Sequence, residues 1–432
     1  MKIRVPTRRF GRTGLAMPVL SLGGMRFQQS WSDLPADAIT AASQANLRAT
    51  LEKAVAAGFH HIETARYYGT SERQLGTVLE QVSDPQRILQ TKVPPNADPG
   101  VFEAELETSF ERLGLAGGGR LDLLAIHGIN LEEHLHQTLR PGGCLEVVRR
   151  WQAEDRIGHV GFSTHGSLAL IEAAIATDQF DFINLHWYFI RQDNRPAIDR
   201  ALAHDMGVFV ISPTDKGGHL HSPSARMAEL CAPLNPIVFN DLFCLSAPGI
   251  HTISVGAAHP GDLEAHLEAV ALLDGAGGLV PPVVERLERA RSEALAGTLG
   301  ETWLATWHQG LPEWTDTPGE INLPVLLWLH NLLEAWDLES FAKARYGLMG
   351  QGGHWFPGAN ADAFESEAFE SEAFEAEVFE ADASSPTPGG GVDEAQLRGA
   401  LSGSPWAAEI PAILRQLKAR LGGQTVERLT ST

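Results

Sequence analysis

Short apolar runs alternate with segments of helical periodicity along the first two thirds of the chain. Runs of this length, bounded by turn residues, are typical of parallel strands that are covered on both faces. Eight of them lie at residues 17–22, 60–63, 88–92, 121–127, 159–163, 182–186, 208–212 and 252–255. They recur at a spacing of roughly 25–45 residues, which suits strand–helix units. This alternation predicts a (β/α)8 barrel of the TIM type.

A doubly wound open sheet is the competing architecture. It would carry a glycine-rich turn directly after its first strand. The sequence has no such turn there, and the glycine-containing stretch at 256–261 comes far too late. A hairpin is predicted at 7–15, with Gly11 and Gly14 in its turn, ahead of the first barrel strand. The barrel is the favoured fold and is assigned to residues 1–273.

The rest of the chain divides by composition. Residues 274–282, rich in glycine and proline, are predicted to be a linker. A helical appendage follows at 283–357, then an acidic low-complexity linker at 358–393 and a C-terminal helix at 394–432. Phenylalanines recur every fifth residue within 363–382, a step of about 140° on a helix, which favours a disordered tether. One helical stripe must pack on the chain or on a partner: Ile410, Ile413, Leu414, Leu417 and Leu421.

The charge balance narrows the classes of partner. Lys+Arg 33 against Asp+Glu 54 gives a formal net charge of -21. Such a surface lacks the basic footprint that nucleic acids require, and it disfavours docking on anionic membranes. The sparse cysteines Cys144, Cys231 and Cys244 suit a reducing compartment. With no signal peptide and no apolar run near the ~20 residues that span a bilayer, we expect a soluble, cytoplasmic protein.

Four ionisable side chains lie at or just past predicted strand ends. Glu63 ends the second run, Tyr68 follows it in a loop, Lys92 ends the third run and His127 the fourth. Strand ends of a barrel meet at the rim where barrel enzymes carry out their chemistry. A lysine lowers the pKa of a neighbouring phenol, a carboxylate keeps that lysine charged, and a histidine orients a carbonyl. The set predicts proton donation to a carbonyl oxygen, with Tyr68 as the general acid.

Each of these residues also has a plain structural explanation. Taken alone, a tyrosine after a strand usually packs against the core, a lysine at a strand end is usually solvated, and an interior histidine usually has its hydrogen bonds satisfied by neighbouring residues. Only the ordered set of four favours a functional site. The neighbours His61 and Tyr67 are interpreted as packing or rim residues, and His165 and His186 as structural residues near the pocket.

The order of these motifs resembles the aldo-keto reductase family. Glu63-Thr64-Ala65 with Tyr68-Gly69, then Thr91-Lys92, then the strand-end His127 match the family over roughly residues 7–272. The resemblance implies reduction of an aldehyde or ketone by hydride transfer from NADPH or NADH. The family's acid is usually an aspartate. Because Glu63 is one methylene longer, its pair with Lys92 is expected to shift by about an ångström while activity is kept.

The resemblance also implies cofactor contacts on the later strands. Ser163 matches the residue that binds the nicotinamide amide, and Asn184 falls where a glutamine is usual. Ser212 matches a pyrophosphate contact, and Lys216 is within reach of phosphate. Ile211 replaces the aromatic side chain that commonly stacks on the nicotinamide.

The loop after the last strand bears on the choice of dinucleotide. Gly256 and Ala257 match backbone phosphate donors near a helix start. In NADPH-specific members the sequence of this loop resembles Lys-Ser…Arg, whereas this chain has Gly256, Ala257 and Asp262. Because an aspartate repels a 2′-phosphate and can accept from a ribose hydroxyl, NADH is slightly favoured.

The appendage resembles a subgroup in which four cysteines hold a [4Fe-4S] cluster ahead of an Ile-Asn stretch. Ile321-Asn322 is present without the cysteines, so neither a cluster nor another metal is expected. The alternative function is a degenerate barrel that binds nucleotide and acts as a scaffold or regulator. Self-association through the C-terminal helices would cover the apolar stripe. Substrate identity stays open, since Arg191 and Arg195 suit either an acidic substrate or a solvated rim.

Overall fold

Eight parallel strands close into a barrel in the computed structural model, which describes residues 3–350, 356–364 and 392–422. The strands follow one another around the barrel in chain order, and the last pairs with the first. Their bounds are β3 Leu20–Gly23, β4 His61–Glu63, β5 Ile88–Val93, β6 Leu121–Ile126, β7 Ile157–Ser163, β8 Phe182–Leu185, β9 Gly207–Val210 and β10 Thr252–Gly256. The predicted (β/α)8 barrel is confirmed.

A two-stranded antiparallel hairpin precedes the barrel, formed by β1 (Thr7–Arg9) and β2 (Ala16–Pro18). At its turn Gly11 has φ +52°, and a Cβ there would lie 2.4 Å from the backbone nitrogen of Gly207. Only glycine fits both constraints. The predicted hairpin is present, but Met17 belongs to β2 and the barrel strand begins at Leu20. The N–H of Val19 still donates to the Pro6 carbonyl at 2.9 Å and the carbonyl of Val19 accepts from Ile253 at 3.0 Å, so the chain passes from the hairpin to the barrel at this residue.

Helices alternate with the barrel strands. The helices of this part of the chain are α1 Ala41–Ala57, α2 Ser71–Leu79, α3 Pro99–Arg112, α4 Glu132–Leu139, α5 Cys144–Ala153, α6 Leu168–Ala176, α7 Arg195–Ala203, α8 Ala225–Cys231, α9 Pro236–Ser246 and α10 Leu263–Leu272. Their caps follow the sequence. The Thr40 side chain accepts from the N–H of Ser43 at the start of α1, and Gly58 ends that helix with φ +97°.

The barrel core is apolar at one end and polar at the other. Buried side chains fill the end next to the hairpin: Phe10, Met17, Ile88, Leu123, Ala125, Phe182 and Phe209. Residues two apart on a strand share a face. Along β5 the interior positions therefore change from Ile88 through Gln90 to Lys92, and Glu63 follows His61 on β4 in the same way. This alternation places the ionisable groups at the carboxyl ends of the strands.

The described residues divide into two compact units, one up to Glu285 and the other from Arg286 onward. The division falls inside α11, which runs over Ala276–Leu299. The linker predicted at 274–282 was therefore wrong. Pro281 and Pro282 lie inside this helix, in its second turn, so a glycine-rich and proline-rich composition did not prevent a helix.

One helical run of the described chain, Pro260–Leu299, is long and apolar enough to cross a bilayer by length and composition alone. The mean hydropathy of its most apolar window is 1.4, and 28% of that window is buried. Its first part is α10, which packs on α9 as a barrel helix does. No apolar run of this length was expected from the sequence, because the glycines and prolines at 275–282 were interpreted as a linker between α10 and the residues that follow.

The second unit is helical where the structure describes it. It contains α12 Trp303–Thr306, α13 Leu323–Trp336, α14 Glu339–Leu348, α15 Glu394–Ala400 and α16 Ile410–Leu421. All five residues of the predicted stripe on α16 are buried, and the helix packs on α13 and α14. The stripe is thus covered within its own unit. The acidic repeat predicted at 363–382 lies, beyond Phe364, outside the described residues.

Candidate active site

Three of the four predicted rim side chains meet at the ammonium group of Lys92. Its Nζ forms an ion pair with Glu63 Oε2, donates to the backbone oxygen of Thr64 at 2.8 Å, and lies 3.4 Å from the hydroxyl oxygen of Tyr68. Lys92 is 1% exposed and Glu63 is 4% exposed, so this pair is shielded from solvent. A buried ion pair of this kind is costly unless both partners are satisfied.

His127, the fourth member of the set, packs against the phenol of Tyr68. The rings of Tyr68 and His127 meet edge to face, with centroids 5.9 Å apart and planes at 84°. Trp31 from the loop after β3 also contacts Tyr68, with its centroid 6.4 Å away. Trp31 is 46% exposed. Tyr68 therefore contacts a buried cation, the ring of His127 and a partly exposed tryptophan.

Space for the longer carboxylate of Glu63 comes from a glycine. A Cβ on Gly23 would lie 3.1 Å from Glu63 Oε1 and 2.6 Å from Ser254 Oγ. The Ser254 hydroxyl donates to Glu63 Oε1 at 3.1 Å. One carboxylate oxygen thus binds Lys92 and the other binds Ser254. The carboxylate of Glu63 is thus seated by the open space at Gly23 on β3 and by a hydroxyl on β10.

The electrostatics keep the lysine charged and the phenol protonated. Burial alone would lower the pKa of Lys92, but the charge of Glu63 and the Tyr68 hydroxyl outweigh burial and raise that pKa. Burial raises the pKa of Tyr68, the charge of Lys92 lowers it, and Glu63 adds to the rise. The net rise differs from the sequence expectation, which considered Lys92 without the desolvation of the phenol. A protonated Tyr68 is the state that a proton donor requires.

Two predicted cofactor residues lie inside the barrel. Ser163 Oγ accepts from the N–H of Gly128 at 2.9 Å, which leaves its own proton to donate. Asn184 is fully buried, and neither atom of its amide has a hydrogen-bond partner among the described residues. Buried amides normally find partners. An amide with an open donor and an open acceptor fits a nicotinamide carboxamide, so Asn184 suits the role that the sequence assigned to it.

The loop after β9 holds Ser212 in an unusual conformation. Ser212 has φ +53°, a region that side chains other than glycine and asparagine rarely adopt. The carbonyl of Ser212 accepts from the N–H of Lys216 at 2.9 Å, which closes a turn at the rim. Ile211, before it, packs on the apolar core. Strained backbone is common at ligand sites.

The loop after β10 uses its own aspartate to occupy its amides. Asp262 Oδ2 accepts from the N–H of Ala258 at 2.7 Å and from the N–H of His259 at 3.3 Å. Its other oxygen lies 3.2 Å from His259 Nε2. Gly256 ends β10 and Ala257 is buried behind it. The predicted phosphate donors Gly256 and Ala257 thus lie beside a turn whose amides already bind the carboxylate of Asp262.

His165 and His186, which were interpreted as structural from the sequence, form a hydrogen-bonded chain with Tyr188 at the same rim. Tyr188 donates to the carbonyl of Ile211 at 2.5 Å, His186 Nδ1 contacts the Tyr188 hydroxyl, and His165 Nδ1 contacts His186 Nε2. A carbonyl only accepts, so the hydroxyl must receive its second bond from His186 Nδ1–H. A neutral His186 then accepts from His165. Local sequence patterns could not indicate this hydrogen-bonded series, because two of its contacts join residues 21 and 23 positions apart.

The Ile-Asn stretch of the second unit has a structural role. Asn322 is the N-cap of α13, accepting from the N–H of Val325 at 3.1 Å, and Ile321 is buried. The cysteines Cys144, Cys231 and Cys244 all lie in the barrel unit and are buried. Within the described residues no cluster of three or more His, Cys, Asp or Glu side chains could hold a metal ion.

A closed eight-stranded barrel with a Tyr-Lys-Glu-His set at its rim defines a class of oxidoreductases. Residues 19–234, half of the chain, match the profile of the aldo/keto reductase family, and the chain belongs to this family. No curated protein matches it. Membership in the family implies NAD(P)H-dependent oxidoreduction.

Two solved structures resemble about two thirds of the chain. The aldo-keto reductase AKR11C1 from Bacillus halodurans, in its holo form, is 16% identical with a TM-score of 0.52, over 65% of this chain and 97% of that one. PA4992 from Pseudomonas aeruginosa, assigned to the aldo-keto reductases, is 23% identical with a TM-score of 0.49, over 64% and 97%. At such identities the likeness to the Bacillus structure shows the fold alone.

Proposed function

We propose that this protein reduces an aldehyde or ketone to an alcohol, with NADPH or NADH as the reductant and Tyr68 as the general acid. The observation that carries the proposal is the position of the Lys92 ammonium, which binds the Glu63 carboxylate and lies 3.4 Å from the Tyr68 hydroxyl in a buried rim. His127 packs against the same phenol. Membership in the aldo/keto reductase family supports the same reaction class.

The chain's own residues hold the carbonyl and move one proton. When bound, the reduced nicotinamide supplies a hydride to the carbonyl carbon, and Ser163 and Asn184 would hold its carboxamide. Tyr68 gives its proton to the developing alkoxide oxygen. Lys92 stabilises the tyrosinate that remains, and Glu63 keeps Lys92 charged and placed. His127 orients the carbonyl oxygen toward the phenol.

A tyrosine pair tests this proposal. We expect Tyr68→Phe to abolish oxidation of NADPH or NADH against a panel of aldehydes and ketones, because the ring stays and only the proton donor is lost. Tyr67→Phe is the matched control, since Tyr67 is adjacent in sequence and 54% exposed. Full turnover in the Tyr68→Phe variant would refute the role of Tyr68.

A nucleotide-binding scaffold is the second candidate. Glu63 in place of the usual aspartate and Ile211 in place of an aromatic favour it. The same assay separates the two candidates. Dinucleotide binding by the wild type without turnover on any carbonyl of the panel would select the scaffold.

We further propose a preference for NADH. Asp262 holds a negative charge in the loop after β10, where NADPH-specific members resemble a basic sequence. Titration of the protein with each dinucleotide checks this, and tighter binding of NADPH would contradict it.

The absence of cluster-binding cysteines supports a protein without an iron–sulfur centre. Iron analysis of purified protein should give no stoichiometric metal, and a brown, cluster-type absorbance would contradict this. With its acidic surface, the protein is proposed to act in the cytoplasm on a small carbonyl compound, without nucleic-acid or membrane partners. Self-association through the C-terminal helices stays a hypothesis for sizing experiments.

A further inference from the structure

We propose that Arg26, in the loop after β3, binds the pyrophosphate of the dinucleotide. The inference rests on the proposed use of NADPH or NADH and adds a residue that the strand-end motifs did not indicate. Arg26 is exposed at the rim, two residues after the Gly23-Gly24 pair that ends β3. Three observations support this role: the position of the Arg26 side chain, the absence of an ion pair to its guanidinium group among the described residues, and the occupied amides of the neighbouring loop.

The stem of Arg26 covers the end of β10. A Cβ built on Gly256 would lie 2.9 Å from Arg26 Cδ and 3.3 Å from its Cγ. Gly256 corresponds to the lysine of the Lys-Ser…Arg sequence that NADPH-specific members resemble in this loop. In this chain the glycine leaves that space open, and an arginine from a different strand end enters it. A cation is thus present over the strand end although the local sequence lacks one.

The guanidinium group of Arg26 has no hydrogen bond and no ion pair with any residue that the structure describes. The charges of Arg26, Asp215 and Asp262 all act on His221, whose pKa is lowered by burial and by Arg26. Acidic side chains are therefore near, yet none lies within ion-pair distance of Arg26. An arginine placed among acidic residues without pairing has its donors available for an anion.

Two backbone amides of the next loop are already occupied. The N–H groups of Ala258 and His259 both donate to Asp262 Oδ2. A phosphate at this turn would have to displace the chain's own carboxylate. Two negative charges of a pyrophosphate therefore require cations from outside this loop. Arg26 lies over the loop's first residue, and Lys216 follows the neighbouring strand.

Three variants of the full chain test the assignment. Arg26→Gln keeps most of the stem over Gly256 and removes the charge, Arg26→Lys keeps the charge, and Arg200→Gln removes the same charge from an exposed position on α7. Dissociation constants for NADH and NADPH are measured by fluorescence titration. We expect Arg26→Gln to weaken the binding of both dinucleotides by roughly tenfold, which is the loss expected for one charge-assisted hydrogen bond. Arg26→Lys should regain part of this affinity, and Arg200→Gln should bind as the wild type does.

The two dinucleotides distinguish the phosphate that is bound. Equal weakening for NADH and NADPH supports the pyrophosphate, which both contain. Weakening of NADPH alone overturns the assignment, because the contact is then to the 2′-phosphate. Unchanged binding of both by Arg26→Gln overturns the proposal while leaving the reductase function intact. A wild type that binds neither overturns the cofactor assignment as well.

Discussion

The ion pair of Glu63 and Lys92 depends on a single missing side chain. Gly23 leaves room for the longer carboxylate, because a Cβ there would lie 2.6 Å from Ser254 Oγ and 3.1 Å from Glu63 Oε1. We expect Gly23→Ala to push Glu63 away from its seat and to lower kcat by about ten- to a hundredfold, since misplacement by about an ångström is costly. Steady-state oxidation of the reduced dinucleotide measures this.

The control for this substitution is Gly117→Ala, because a Cβ on Gly117 meets nothing within 4 Å. A second change tests the cause. Glu63→Asp in the Gly23→Ala background shortens the carboxylate and should regain part of the lost rate. If Gly23→Ala turned over as fast as the wild type, the space argument would be wrong.

His61 links the barrel interior to the pH dependence of stability. Ser21 Oγ lies 2.6 Å from His61 Nδ1, and burial, with the charge of Lys92, lowers the pKa of His61 to about 3. The unfolded chain binds this proton near pH 6.5, whereas the folded chain does not. The contribution of the neutral His61 to the free energy of unfolding is therefore complete above about pH 6.5, and it is lost as the pH falls toward 3. We expect a slope of at most about 1.4 kcal/mol per pH unit in the unfolding free energy.

Urea unfolding between pH 7 and pH 4 checks this slope. His61→Asn should be less stable than the wild type at pH 7 but should lose stability less steeply on acidification. His60→Gln is the matched control, because His60 lies next to it in sequence and pairs with Asp84 instead. Equal slopes for the wild type and His61→Asn would contradict the prediction.

At the scale of elements, the start of α10 sets the charge of the candidate cofactor loop. Asp262 both accepts from the amides of this loop and places a carboxylate there. We expect Asp262→Asn to raise the affinity for NADPH relative to NADH by about tenfold, because the amide can still accept while the repulsion is removed. Titration with both dinucleotides measures the ratio. Glu268→Gln, an exposed acid on the same helix, should leave the ratio unchanged, and an unchanged ratio in Asp262→Asn would refute the role of its charge.

Strand ends could be predicted from the sequence because their information is local. The residue types change from apolar to ionisable at the end of each run, and the two-residue alternation fixes which side chains face inward. The meeting of Glu63, Lys92 and Tyr68 follows from these two facts and from barrel closure. Composition was a poorer guide at 274–282, where α11 begins despite its glycines and prolines.

Contacts between distant segments could not be predicted in the same way. Arg26 reaches Gly256, and Ser254 donates to Glu63, across more than 150 residues of chain. The chain from His165 through His186 to Tyr188 likewise depends on side-chain directions after two different strands. No periodicity or motif encodes such pairs, because they follow from the curvature of the closed sheet.

At the scale of the whole molecule, the two units have separate cores. In the second unit, Trp303 Nε1 donates to Asn331 at 2.7 Å and Trp336 Nε1 donates to the carbonyl of Leu287 at 3.0 Å. Leu414 on α16 is fully buried in the same unit. The apolar stripe of α16 is therefore part of a core, and its loss should affect folding of this unit before it affects association.

Leu414→Ala tests that conclusion. Removing a buried leucine side chain leaves a cavity, and we expect a loss of about 2–5 kcal/mol in the unfolding free energy. Tryptophan fluorescence in urea is a suitable readout, because Trp303 and Trp336 lie in this unit. Gln416→Ala, at an exposed position two residues along the same helix, should change the midpoint little. If Leu414→Ala kept the wild-type midpoint but changed the oligomeric state in light scattering, α16 would serve an interface between copies and the internal packing would not be its main role.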